Sequence, residues 1–159
     1  MEEQKVTSFF RFEDLRVYNK ALEYYSWLTE QVKQADDFSK RVLFMPFLDS
    51  AARVSINIAE GTSYHKAQFV NFLKNAKTNV RECVVFTTMA QQNGLFNQEQ
   101  TEFSRNTLIE MTKMLGAMVV SLQRPYSKRP NEEVAEMNPE VEPANTQDNS
   151  SEFNLDFNY

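Results

Sequence analysis

Cysteine and histidine each occur once in the 159 residues, glycine three times and proline five times. Each scarcity removes a class of molecule. A single cysteine, Cys83, closes no disulfide and builds no thiolate metal site within one chain. Alone and expected to be buried, it acts as a small apolar residue and suits a reducing compartment. Three glycines are too few for the tight turns of an all-β domain. No apolar run approaches the roughly 18 residues of a membrane span. The N-terminus, MEEQKVTSFF, is acidic and lacks the basic-then-apolar plan of a signal peptide. The expectation is a cytoplasmic chain with no membrane role, no metal and no cofactor.

What is present is unevenly spread. The net charge of −5 conceals a body, residues 1–125, with 15 Lys and Arg against 14 Asp and Glu. Residues 126–159 carry 2 against 8, so the acidity belongs to the C-terminal segment. That segment is rich in Pro, Glu, Asn and Ser, with few periodic apolar residues, and reads as a disordered tail after a single domain. Its last residues, FNLDFNY, are apolar enough to dock on something. A nearly neutral body neither demands nor excludes a polyanionic partner.

The body's apolar residues recur at helical spacing. Leu15, Tyr18, Leu22, Tyr25 and Val32 predict a first helix over about 12–34, with Thr7 or Ser8 as its cap. QADDFSK reads as a connection. A second helix is expected from Lys40 or Arg41 to Glu60, either starting near Pro46 or kinking there. Gly61 is well placed as a left-handed residue that stops it. Thr62 or Ser63 is expected to cap a third helix, which begins near Tyr64 or His65. In it Phe69, Leu73, Ala76, Val80, Cys83, Thr87 and Ala90 form the apolar stripe, and Asn93–Gly94 ends it. Asn97 with Gln100 has the form of a capping box opening a fourth helix to Pro125. Four amphipathic helices with short connections predict an all-α, antiparallel up-down-up-down four-helix bundle over 1–125, followed by a flexible acidic tail over 126–159.

Two stretches carry a resemblance. FRFEDLRVYNKALEYY, followed by SAARVSINIAEGTSYHKAQFVNFLKNAKTNVRE, resembles the bacterial four-helix-bundle family first met as open reading frames in intervening sequences of 23S ribosomal RNA genes. Phe12, Leu15, Val17, Tyr18 and Ala21 carry it in the first helix. Asn57-Ile58-Ala59-Glu60-Gly61 carries it at the turn, and Phe69, Phe72, Leu73, Ala76 and Glu82 in the third helix. The chain departs from the family pattern at Asp49, Arg53, Ser55 and Thr78-Asn79, where arginine, serine, proline and Gly-Ser are usual. If the family's basic positions touch RNA, Asp49 weakens that inference, and Arg53 one turn along is a candidate replacement. The resemblance implies a helical protein without established enzymatic activity that often forms ring-like oligomers. It is similar in build to the accessory proteins of diversity-generating retroelements, pentameric barrels that bind nucleic acid and a reverse transcriptase.

Candidate sites follow from residue type and spacing. Lys74, Lys77 and Arg81 share one face of the third helix, with Lys66 two turns before Lys74. Arg16 on the first helix and Arg53 on the second complete the candidate nucleic-acid contacts. Asn57, Glu60 and Gly61 read as a structural turn: Asn57 bonding backbone across the helix pair, Glu60 meeting a basic residue or the amides that open the third helix. His65 reads as an exposed helix-start residue. It and Cys83 lie eighteen positions apart on one predicted helix, about 27 Å, too far for a catalytic dyad. Tyr24, Trp27, Val85, Phe86 and Val119 fall off the main stripes and are expected at subunit contacts. The expected function is a non-enzymatic homo-oligomeric scaffold or adaptor for RNA, DNA or a nucleic-acid-processing protein, with no small-molecule substrate. The alternative is a protein-interaction module whose acidic, Phe-containing tail docks on a partner or a sister subunit, or lies in the basic groove as a mimic of nucleic acid.

Overall fold

The computed structural model describes residues 9–125. The expected cap at Thr7 or Ser8 and the expectations for the tail fall outside them. Within them the chain forms four long helices and no strand, as the spacing of apolar residues predicts.

The first helix, α1 (Arg16–Lys33), starts later than its apolar pattern. A 3₁₀ turn over Arg11–Asp14 precedes it, and Leu15 between them is extended. The Asn19 side-chain amide donates to the Glu13 and Leu15 carbonyls at 2.9 and 3.3 Å, tying the turn to the helix.

The second helix, α2 (Asp37–Gly61), begins earlier than expected, inside the stretch read as a connection. Asp36 is its cap: the side chain accepts from the Ser39 N–H at 2.9 Å. The Ser39 hydroxyl and amide together lower the Asp36 pKa. The helix then passes through Pro46 and marks it. Proline offers no N–H to the carbonyl four residues back and crowds it. Residues Lys40–Phe44 form a π-turn, with the Met45 N–H reaching five residues back to the Lys40 carbonyl. In length and composition α2 matches a membrane-crossing helix, with an 18-residue window of mean hydropathy 1.3. Its residues divide between a core face (Phe47, Ala51, Val54, Ile58) and an exposed face carrying Asp49, Arg53 and Glu60.

Gly61 is corrected. Among the glycines the positive φ belongs to Gly94, at 69°, and Gly61 is the last residue of α2. A Cβ there would lie 2.6 Å from Phe69 Cδ2 and 2.7 Å from Phe72 Cβ. The residue is glycine because the next helix crosses against it. Thr62 and Ser63 are corrected too. Their hydroxyls turn back to the Ala59 and Glu60 carbonyls, each at 2.7 Å, and His65 takes the N-cap position without a side-chain bond.

The third helix, α3 (Lys66–Gln92), ends at Asn93 and the left-handed Gly94. The fourth, α4 (Gln98–Gln123), opens with the full capping box: Asn97 Oδ1 accepts from the Gln100 N–H, and Gln100 Oε1 from the Asn97 N–H, both at 2.8 Å. Each helix packs antiparallel on the next, and α4 closes against α1. Leu28, Phe47, Ile58, Leu73, Leu108 and Leu115 fill the centre with no exposed surface. Tyr24 belongs there also, at 1% exposure, which corrects its expected place at a subunit contact. Its ring lies beside Trp27 and Phe47, with centroids at 5.7 and 6.5 Å. Trp27, Phe86 and Val119 pack half-buried against the core, and Val85 stays 53% exposed.

Candidate nucleic-acid interface

Helix α3 carries its cations in its first half. From Lys66 to Arg81 it has Lys66, Lys74, Lys77 and Arg81 and no carboxylate. These residues fall on one flank because side chains three, four and seven apart share a helix face. Beside that half runs the second half of α4, antiparallel. From Met111 to Pro125 it adds Lys113 and Arg124, again without a carboxylate. The pairing is fixed at both ends. Lys66 Nζ reaches the Arg124 carbonyl at 3.5 Å, a long contact, and Arg105 donates to Thr88 Oγ1 at 2.7 Å.

Between the two helices lies an open groove of about 470 Å³. Val70 and Leu122 form its apolar floor, and Lys66 and Lys74 its rim. Lys77 is half-buried; Lys66, Lys74, Arg81, Lys113 and Arg124 are exposed. The ion pairs among the described residues lie elsewhere and involve Lys20, Lys33, Lys40 and Arg53. Lys66, Lys74, Lys77 and Arg81 span about 22 Å of α3 with no carboxylate partner among the described residues, and make a positive strip suited to phosphate oxygens.

The other two candidate contacts stand apart from this strip. Arg16 lines a small cleft with Met114 and Met118, on the α1 side of α4. Arg53 Nε donates to Asp49 Oδ2 at 2.8 Å, one turn back on α2. The Asp49 carboxylate raises the Arg53 pKa, and Arg53 therefore does not replace the family's basic position as a free cation. Lys20 meets Glu110 of α4 at 3.1 Å, which ties α1 to α4.

The turn residues have structural partners. Asn57 Nδ2 donates to the Arg53 carbonyl and to Asn79 Oδ1, both at 2.9 Å. The bond across the helix pair thus goes to a side chain, where backbone was expected. Asn79 passes it on to Glu82 Oε2 at 3.1 Å, and the Ser50 hydroxyl donates to the same oxygen at 2.9 Å. This polar ladder joins α2 to α3. The Glu60 side chain is exposed and meets no described partner, contrary to the expected pairing, while its carbonyl accepts from Ser63.

The one histidine and the one cysteine lie in different surroundings. His65 is exposed, as expected, and Cys83 is fully buried. Burial, then the Glu82 carboxylate, pushes the Cys83 thiol from 9.0 up to about 12, so it stays protonated. Tyr24, also raised by burial, shares a hydrogen bond with Ser104 at 2.7 Å, and Ser104 another with Thr87 at 2.6 Å. Among the described residues no three His, Cys, Asp or Glu side chains could hold a metal ion together.

Sequence reading missed Lys113, Arg124 and Asn79. The first two became visible only once α4 was laid antiparallel beside α3. Asn79 sits where the family pattern has a small residue, and that departure was its one signal.

The sequence pattern of the 23S rRNA-intervening sequence protein family matches residues 13–117. A crystal structure from Bacteroides thetaiotaomicron, described as a protein of unknown function from the S23 ribosomal protein family, superposes with a TM-score of 0.61. It is 24% identical, over 65% of this chain and 95% of that one, and so speaks for the fold. No curated protein matches the chain.

Proposed function

The chain belongs to the 23S rRNA-intervening sequence protein family, and from that premise we propose that it is a non-enzymatic, homo-oligomeric scaffold of the bacterial cytoplasm that binds the phosphate backbone of RNA or DNA. One observation carries this reading: the cationic strip formed by Lys66, Lys74, Lys77 and Arg81 of α3, which have no carboxylate partner among the described residues. Backbone contacts read charge and spacing without base sequence. No exposed aromatic lies between Lys66 and Arg81 or between Met111 and Pro125 to stack bases. A ring of copies, pentameric by analogy with the family, would repeat the strip around an axis and concentrate its field.

The test is a gel shift with duplex RNA. If about four phosphates are neutralised, affinity falls on the order of 10²-fold between 50 and 200 mM salt. Charge reversal at Lys74, Lys77 and Arg81 removes at least three of those contacts and should abolish the shift, leaving helicity and subunit number unchanged. Absence of binding at low salt refutes the reading.

A further inference from the structure

Inside α4 stands a glycine that no described neighbour explains. Gly116 is helical, the positive φ belonging to Gly94, and no described atom lies within 4 Å of the place its Cβ would take. Glycine is less stable than alanine inside a helix. A departure from local preference with no return within the fold marks a contact from outside.

The helix repeat fixes where this gap opens. Gln123, seven residues on, lines the α3–α4 groove, and Arg105, eleven back, donates to Thr88 of α3. Residues seven and eleven apart lie about two and three turns along one face, so Gly116 faces the same groove. Met114 and Met118, on either side of it in sequence, line the cleft toward α1 instead. On α3, Lys77 and Arg81 stand eleven and seven residues before Thr88 and so also face α4. Lys77 lies midway between Lys66 and Thr88, whose partners on α4 are Arg124 and Arg105. The midpoint of those partners falls at residues 114–115, next to Gly116. The gap therefore opens in the middle of the cationic strip, level with Lys77.

We propose that Gly116 is where the phosphate backbone of a bound nucleic acid comes closest to the protein, against bare helix backbone level with Lys77. The assignment rests on reading the strip as a nucleic-acid site. Glycine is the residue that lets a ligand reach the main chain, and its Cα–H groups are weak donors to an oxygen. Any side chain there would hold the phosphates off the lysines. Ile109 and Val120, 50% and 53% exposed, flank the gap and suit a sugar or another helix equally, so charge decides between the two. Neither wall of the groove carries a carboxylate between Lys66 and Arg81 or between Met111 and Pro125. Two copies set face to face across it would bring the same lysines together and repel, whereas a polyanion is drawn in.

The test compares full-length parent with Gly116→Ala, Gly116→Gln and Ala117→Gln, none of which alters charge. Ala117 is exposed one position round the helix and serves as the control. In a gel shift with duplex RNA at low salt, Gly116→Gln should weaken binding on the order of tenfold and Gly116→Ala by less, with Ala117→Gln unchanged. Sedimentation mass should stay that of the parent, and the unfolding midpoints of the Gly116 variants should not fall. If the parent binds and Gly116→Gln binds as well, the nucleic-acid reading stands and the assignment of Gly116 falls. Affinity lost together with sedimentation mass gives the gap to a sister helix and overturns the proposal. A lowered midpoint shows the space to be filled and overturns it too. A parent that binds no RNA removes the reading and the proposal with it.

Discussion

Two glycines inside helices show how one residue type serves opposite ends. At Gly61 a methyl would press to 2.6 Å of the Phe69 ring and 2.7 Å of Phe72 Cβ, whereas at Gly116 nothing lies within 4 Å of the same methyl. Gly61→Ala should therefore lower the midpoint of chemical unfolding, with a cost of about 1–3 kcal/mol from overpacking. Gly116→Ala should raise it, by about 0.5–1 kcal/mol, because alanine relieves the entropic cost of glycine in a helix. Equal effects of the two substitutions would contradict the close approach at Gly61. The sequence marked Gly61 as important and misassigned the cause. A glycine before a polar gap looks like a left-handed stop, and the alternative depends on where Phe69 and Phe72 fall in the next helix. Cys83 was legible in full: a lone cysteine on a core stripe is buried, and burial keeps its thiol protonated.

At the scale of the helix, what could be read followed locality. The Asn97–Gln100 box and the Asn93–Gly94 stop are complete within four residues, and both stand as read. The start of α2 was missed because its two signals conflict: Asp36 caps a helix, and Pro46 argues that one has not yet begun. The π-turn at Lys40–Phe44 reconciles them, and no composition rule announces it. Polar joints between helices were not legible at all. Ser104 reads as an ordinary small position on the α4 stripe. In place it bridges Tyr24 of α1 and Thr87 of α3, at 2.7 and 2.6 Å, with no exposed surface. Ser104→Ala removes the partner that the Tyr24 hydroxyl meets at 2.7 Å and leaves it only the Thr87 hydroxyl, which also holds the Cys83 carbonyl at 2.8 Å. The expected loss is about 1 kcal/mol, the net worth of a buried hydrogen bond. Tyr24→Phe added to Ser104→Ala should recover much of it, since both polar groups are then gone. Urea titrations of the two variants decide the point, and a double variant weaker than Ser104→Ala alone would disprove the bridge.

For the molecule as a whole, totals misled where placement informs. A body that is nearly neutral on paper gathers Lys66, Lys74, Lys77 and Arg81 in a stretch of α3 without a carboxylate, beside a stretch of α4 without one, while Glu82, Glu99, Glu102 and Glu110 of the same two helices lie beyond those stretches. That segregation exists only after α3 and α4 are paired in register, which is why half of it could be read from the sequence and half could not. The same holds for apolar surface. Tyr24 was expected at a subunit contact and turns inward instead, while Trp27 and Phe86 of the same expected set are half-buried. Val85, of the same expected set, stays exposed on α3, and Met89 beside it and Met45 and Ile56 on α2 are exposed too, all between 42% and 58%. Met45, Asp49, Ala52 and Ile56 follow the four-three-four spacing of a single helical stripe, and Val85 and Met89 are one turn apart on the neighbouring helix. A helix face with that content gains about 25 cal/mol for each Å² of apolar surface it covers, so a sister copy would gain by covering the outer faces of α2 and α3. Sedimentation of the full chain at tens of micromolar should give a mass several times 18.6 kDa. Ile56→Asp with Val85→Glu should reduce it to one copy, with the helical circular dichroism intact, since both side chains already face water in the single chain. A parent protein that sediments as one copy, or a variant that keeps the parent's mass, removes these faces as the interface. The charge strip lies on the α4 side of α3, away from α2, so the variant should retain its RNA contacts chain for chain and lose only the gain in affinity that a ring confers.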